Sequence, residues 1–394
     1  MKTLRKEHVI MKKILFIVSA LVLTMAAGTG CTGAKSGGDA GDTLRMKYAG
    51  RISIIEHDGY SKVVIADPWT EGRTLHTYIL AQRSDKSLTD DSLKSIAPEA
   101  TVVRTPLRKA LITTSVHCAL AGELGCAAAV GGVCDIRYIS LPWVKEGVKD
   151  GSIRDCGSAM APAIETIIDL APDAIFLSPF QNSGGYGRIE NLGVPIIEMA
   201  DYMETSAMGR AEWMKFYGML FGAEEKAQAL FDKTDSAYCE LKAKAAGNGE
   251  KSGGAKSVVM DKLVGAVWYV PGGGSTVGMM LRDAGYAYPW QDDASAGSLS
   301  LSLETVLEKA SDADVWLFRY DSPQPMTRSV LLSENAGYAQ FKAFKTGELY
   351  GCNTATSNFY EETPFHPERL LRDFITILRP GLGLGQPRYF VKVK

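Results

Sequence analysis

A motif that occurs twice constrains this chain more than any other feature. Glu165-Thr166, Ala171 and Asp173-Ala174 return as Glu304-Thr305, Ala310 and Asp312-Ala313, the pattern E-T-x-x-x-x-A-x-D-A at an offset of 139 residues. Each copy reads as a short helix running into a buried strand, Ile175-Phe176-Leu177 in one case and Val315-Trp316-Leu317-Phe318 in the other. The expected fold class is therefore α/β, with two similar parallel-sheet, Rossmann-like lobes. Each glutamate stands in the first turn of its helix, where the macrodipole favours a carboxylate and the side chain faces solvent. Glu165 and Glu304 could dock on a two-fold partner, and spacing alone equally allows two ordinary first-turn acids.

Strand-helix alternation supports the lobes. In the first, strands are expected at Ala110–Thr114, Ala127–Val133, Ala174–Ser178 and Pro195–Met199; in the second, at Ser257–Met260, Gly265–Tyr269, Val315–Phe318 and Glu348–Tyr350. Between them, Ala223 to Ala246 carries apolar or neutral residues at Ala227, Leu230, Phe231, Thr234, Tyr238 and Leu241, close to helical spacing. That is one connecting helix of ~36 Å at 1.5 Å per residue. Such a rod limits how far a cleft between the lobes can open. Ahead of the lobes, Ile52-Ser53-Ile54-Ile55, Lys62-Val63-Val64-Ile65 and Thr77-Tyr78-Ile79-Leu80 read as a small β extension.

The N-terminus carries an export signature. Met11-Lys12-Lys13 precedes an apolar run from Ile14 to Ala27, then Gly28-Thr29-Gly30-Cys31, the charged, apolar and small-residue zones of a secretory signal. The run is short for a membrane span, which needs about 20 apolar residues. Its end resembles a lipobox, with Cys31 as the lipidated first residue of an exported, membrane-anchored lipoprotein; Gly28 stands where a leucine is usual. The expected organisation is signal peptide 1–30, tether 31–42, β extension 43–104, first lobe 105–205, connecting tract 206–250 and second lobe 251–394.

A formal net charge of −2, with no dense basic run after the signal, argues against a nucleic-acid partner. The six cysteines beyond Cys31 match no zinc spacing and suit small buried positions, although export would permit a pair among Cys118, Cys126, Cys134 and Cys156.

Together with Phe359-Tyr360-Glu361 and His366-Pro367-Glu368-Arg369-Leu370-Leu371, the tandem Glu-led helices, single connecting helix and lipoprotein start resemble the helical-backbone (class III) periplasmic substrate-binding proteins of ABC importers for ferric siderophores, haem and cobalamin. The resemblance covers about Leu107 to Pro380. The stretches Gly209-Arg210-Ala211-Glu212-Trp213 and Gly272-Gly273-Gly274-Ser275 look like the Bacteroidetes version. It implies an ABC permease dimer as partner, with Glu165 and Glu304 meeting permease arginines, and a metal-chelate ligand; the sequence itself offers no cluster of His and carboxylate ligands for a protein-held metal, and no cofactor is expected.

Open α/β sheets bind ligands beyond the carboxyl ends of their strands. Those ends carry Ser115, His117, Tyr138, Phe180, Gln181 and Tyr186 in the first lobe, and Trp268, Tyr269, Trp290, Arg319 and Tyr360 in the second. Rings supply area and Arg319 a charged donor, which suits a bulky anionic chelate. A ferric siderophore ranks first, a cobamide second and haem lower. The rival from another class is a secreted hydrolase-like enzyme. Pro271-Gly272-Gly273-Gly274-Ser275-Thr276 before a helix could cradle a phosphate, and His117 with Asp135 could form a general-base pair if folding joins them. The glycine string lacks a P-loop lysine, so a turn approaching the cleft is its expected role.

Overall fold

Runs of wholly buried residues, such as Ala174–Leu177 and Ala110–Ile112, mark strands covered on both faces, as a parallel sheet flanked by helices requires. The computed structural model describes residues 41–181, 185–247 and 255–394. Cys31, the signal-like segment and nearly all of the tether lie outside the described residues. Among the described residues, no helix is long and apolar enough to cross a membrane.

The N-terminal extension is a five-stranded sheet, ordered β1 (Asp42–Leu44), β2 (Ile52–His57), β3 (Tyr60–Ala66), β4 (Thr74–Gln82) and β5 (Thr101–Thr105). The first four strands are antiparallel, and β5 joins β4 in parallel after helix α1 (Asp90–Ile96). Period-two alternation gives the sheet two apolar faces. Ile79 and Ala81 pack with Leu93 of α1, while Ile54, Val63, Tyr78 and Leu80 join the main core.

The first lobe contains β6 (Ala110–Ile112), α2 (Ser115–Glu123), β7 (Val130–Val133), α3 (Pro142–Asp150), β8 (Arg154–Asp155), a hairpin of β9 (Gly157–Ser158) and β10 (Ala161–Pro162), α4 (Ile164–Leu170), β11 (Ala174–Leu177) and β12 (Ile196–Glu198). Its sheet is parallel throughout, in the order β12-β11-β6-β7-β8. Residues 127–129, expected as strand, form a 3-10 turn instead. The open edge at β12 is covered by the extension. The fully buried Tyr78 hydroxyl donates to the Ile196 carbonyl at 3.0 Å and accepts from the Glu198 N–H at 2.8 Å, satisfying two backbone groups that an edge strand otherwise leaves exposed.

The connecting tract comprises α5 (Ala207–Glu212), α6 (Met214–Phe221) and the 24-residue α7 (Glu224–Gly247). The buried positions of α7, Ala227, Phe231, Thr234, Tyr238, Leu241 and Ala245, form the helical stripe read from sequence. Two buried carboxylates fasten the N-terminal strap to this tract. Glu212 accepts from the backbone N–H groups of Lys47, Tyr48 and Ala49 at 2.7–2.9 Å, and Glu204 accepts from those of Gly50 and Arg51.

The second lobe holds β13 (Val258–Met260), β14 (Leu263–Val264), β15 (Val267–Pro271), α8 (Thr276–Ala284), β16 (Ser298–Leu301), α9 (Leu303–Ala310), β17 (Val315–Tyr320), α10 (Arg328–Glu334), α11 (Lys342–Thr346), β18 (Leu349–Asn353), α12 (Phe359–Glu362), α13 (Pro367–Leu378) and β19 (Val391–Lys392). Its main sheet runs β13-β17-β18-β19, parallel except for the terminal strand. The segment around Trp268 departs from expectation. It pairs antiparallel with β14 and β16 in a separate three-stranded sheet.

The duplicated motif is a duplicated structure. Glu165 and Glu304 are each the second residue of their helices, α4 and α9. Past the helices the two copies slip by two residues. Asp173 accepts from the N–H groups of Arg108 and Lys109, and Asp314, not Asp312, makes the corresponding bond to Ser257. In each case a carboxylate just before one strand holds the start of its parallel neighbour.

Candidate functional site

The carboxyl ends of β13, β17 and β18 converge on a cavity of about 500 Å³, lined by Asp261, Lys262, Tyr269, Arg319, Tyr320, Asp321, Met326, Glu334 and Tyr360 among others. A second cavity of about 180 Å³ shares Arg319 and Tyr360 with it and adds Ala207 and Arg210 from the connecting tract. Three of the expected residues, Tyr269, Arg319 and Tyr360, therefore meet at one site. Pockets of several hundred Å³ with apolar walls and a few polar groups suit a compact organic ligand.

The Asp261–Arg319 pair organises the wall. Asp261 follows β13 directly and sits in the left-handed region at φ 62°, a conformation that short polar residues tolerate better than others. Two indoles hold this turn: Trp316 Nε1 donates to the Asp261 carbonyl at 2.6 Å and Trp268 Nε1 to that of Met260 at 2.8 Å. The Asp261 carboxylate then accepts both Nε and Nη2 of Arg319, at 2.9 and 2.6 Å. Burial opposes the Arg319 charge, but the carboxylate against it outweighs burial and raises its pKa. Beside this pair, Lys262 Nζ lies 2.8 Å from Glu334.

Several expected contacts lie elsewhere. Trp268 is 0% exposed and stacks on Trp316 in the core. Trp290 is buried too, with Lys309 Nζ 5.5 Å from its ring centre. Neither reaches the cavity, because a strand-end position does not fix which face a side chain takes. His117 is also buried. It hydrogen-bonds Thr114 through Nδ1 and faces Asp201 and Tyr217 with Nε2, at 2.9 and 3.0 Å. Arg210 Nε completes this network, 2.9 Å from Asp201. Burial alone would raise the Asp201 pKa, but His117 and Arg210 outweigh it and hold the group below the usual carboxylate range.

The first-lobe candidates do not line the 500 Å³ cavity, whose residues all belong to the second lobe. Ser115 is half-buried at the start of α2, and Phe180 and Gln181 are exposed beyond β11. Tyr138 is 66% exposed, with the Arg137 guanidinium 4.5 Å from its ring centre. Tyr186 donates to Glu198 at 3.1 Å. The lobes meet, among other places, where the Ser140 hydroxyl donates to Glu361 at 2.7 Å and where the His117 and Phe365 rings pack in a T-shaped contact.

The features behind an enzyme reading do not assemble. Asp135 accepts from the Ala159 N–H and is no partner of His117. A Cβ on Gly272, Gly273 or Gly274 would stand 2.3–2.6 Å from backbone oxygens of residues 290–295. The glycine string is thus packed against its own chain, and its closest approach is to that segment. Among the described residues, no group of three or more His, Cys, Asp or Glu is placed to hold a metal ion, and all six cysteines are free thiols.

Asp261, Lys262, Met326 and Glu334 escaped the sequence reading. Asp261 was within its reach, being the first residue after an expected strand. Lys262 and Glu334 become neighbours only through the fold, 72 residues apart.

Residues 123–356 match the family described as periplasmic binding protein. An uncharacterized lipoprotein of Methanocaldococcus jannaschii is 24% identical over 412 residues, covering 96% of either chain. Among solved structures, a protein of an ABC-type Fe3+-hydroxamate transport system from Saccharomonospora viridis aligns with a TM-score of 0.53 at 17% identity, over 69% of this chain and 93% of its own. The molybdate periplasmic binding protein MolA of Haemophilus influenzae aligns with a TM-score of 0.54 at 17% identity, over 71% and 88%. At such identities the structural matches speak for the fold.

Proposed function

This chain belongs to the periplasmic binding protein family, and from that premise we propose that it captures a metal chelate at the Asp261–Arg319 cavity and delivers it to an ABC permease. The observation that carries the reading is the cavity itself: about 500 Å³ at the ends of three strands, walled by Tyr269, Tyr320, Tyr360 and Met326. Aromatic and thioether surface supplies area for an organic complex. A ferric siderophore ranks first and a cobamide second. Haem ranks lower, since His117, the histidine among the strand-end candidates and so the one able to ligate a haem iron, is buried against Asp201. Export and N-terminal lipidation at Cys31 belong to the same proposal, supported by the lipobox-like sequence and the lipoprotein name of the archaeal relative.

Equilibrium titration of the full chain in detergent with ferric siderophores, cobalamins and haemin tests the reading. Micromolar or tighter binding of one chelate, weakened about ten-fold or more by Tyr360→Ala, is expected from the loss of one aromatic contact surface. Saturable turnover of an ester or phosphate in place of chelate binding would refute it.

A further inference from the structure

We propose that the chelate this cavity accepts carries no net negative charge: a neutral or cationic complex, such as a ferric trihydroxamate or a corrinoid, and not a tris-catecholate or an oxyanion. The inference rests on the binding-protein reading above and narrows it. Three cations line the two cavities, and each already faces a carboxylate. Arg319 is gripped by Asp261 through two hydrogen bonds, Lys262 lies on Glu334 and Arg210 on Asp201. An anionic ligand would therefore meet cations whose charge is already balanced, and would bring its own charge beside Asp261 and Glu334.

Asp261 is a fixed part of this wall. Its backbone is pinned by the Trp316 indole N–H and by its own N–H to the Leu317 carbonyl, and its carboxylate stands at the cavity against Arg319. Within the larger cavity, Asp261, Asp321 and Glu334 face Lys262 and Arg319, one carboxylate in excess. Asp321 is exposed and, among the described residues, has no ion-pair partner. Beside Met326, Val264 and Val330, the wall carries the rings of Tyr269, Tyr320 and Tyr360, and aromatic faces attract positive charge. Arg319 therefore braces the site with its charge balanced by Asp261, and is not the uncompensated cation that its place in the sequence suggested.

Chelates of one metal in different charge states test this on the full chain in detergent: a cationic linear ferric trihydroxamate, a neutral cyclic one and a trianionic ferric tris-catecholate, with cyanocobalamin and molybdate alongside. The expected result is binding of at least one neutral or cationic complex at least about ten-fold tighter than any anion. Asp261→Asn keeps a residue that tolerates the left-handed backbone and frees the Arg319 charge, so it should shift the preference about ten-fold toward the tris-catecholate. Tighter binding of the trianion or of molybdate by the wild-type chain overturns the charge inference and leaves the binding-protein reading standing. Failure of every compound to bind overturns that reading and this inference with it. If Asp261→Asn does not fold, the wild-type comparison decides alone.

Discussion

The imidazole of His366 in the second lobe and the carboxylate of Glu123 in the first meet at 2.5 Å. The other ring nitrogen lies 3.1 Å from Glu368, and the Arg369 guanidinium is 3.8 Å from Glu123. Burial lowers the His366 pKa, but the two carboxylates outweigh it and raise the group above its ordinary 6.5.

A group with a raised folded pKa stabilises fully below its unfolded value and loses that contribution as pH rises through the folded one. The melting temperature should therefore decline as pH rises from about 6.5, through loss of roughly 1–3 kcal/mol for charged hydrogen bonds. His366→Gln should flatten that decline. An identical slope in the variant would remove His366 as its cause.

At the acid end, Glu362 should govern how the C-terminal segment is held. Its carboxylate accepts from Arg388 at 2.6 and 2.8 Å and from the Tyr389 hydroxyl at 2.7 Å. Burial pushes its pKa up, yet Arg388, Tyr389 and Arg369 bring it down to about 2. The contribution is present above the ordinary 4.5 and is lost as pH falls toward 2. Glu362→Gln should cost about 1–3 kcal/mol at neutral pH, reduced by the exposure of Arg388. It should also speed proteolysis of residues 386–394. Equal protection in wild type and variant at pH 7 would count against the assignment.

Tyr78→Phe removes one oxygen and leaves the Ile196 carbonyl and the Glu198 N–H without their buried partner. Denaturant unfolding should show a loss of about 1–3 kcal/mol. Hydrogen exchange at the Glu198 amide should rise with it. An unchanged exchange rate there would mean that water or a neighbour replaces the hydroxyl at no cost.

Glu165 and Glu304 are both exposed, and Glu165 forms a loose surface pair with the exposed Arg188 at 3.7 Å. Reversing both charges should leave chelate affinity within about two-fold, since exposed pairs contribute little to the fold. Uptake through the permease should drop sharply. Normal uptake by the double variant would end the docking proposal.

Local patterns carried far in this chain. The repeat, the parallel strands and the 24-residue helix were legible because each depends on spacing within one segment. Pairing between segments was not. Val267–Pro271 alternates as any strand does, and nothing local says that it joins an antiparallel sheet. His117 stands one turn beyond β6 as expected for a ligand contact, but α2 turns it toward Asp201, 84 residues away. Arg319 was placed well along the chain. Its neutralisation by Asp261 depends on a left-handed backbone and on two tryptophans from different strands.

The strap at residues 47–51 has a mechanical consequence. Its backbone is gripped by Glu204 and Glu212, which flank and belong to the helical tract that both lobes share. A pull applied at Asp42 would therefore meet β1 and these carboxylate bonds first, at the helical tract. Were the N-terminus tethered as proposed, the load would enter at these bonds, ahead of the cavity in the second lobe.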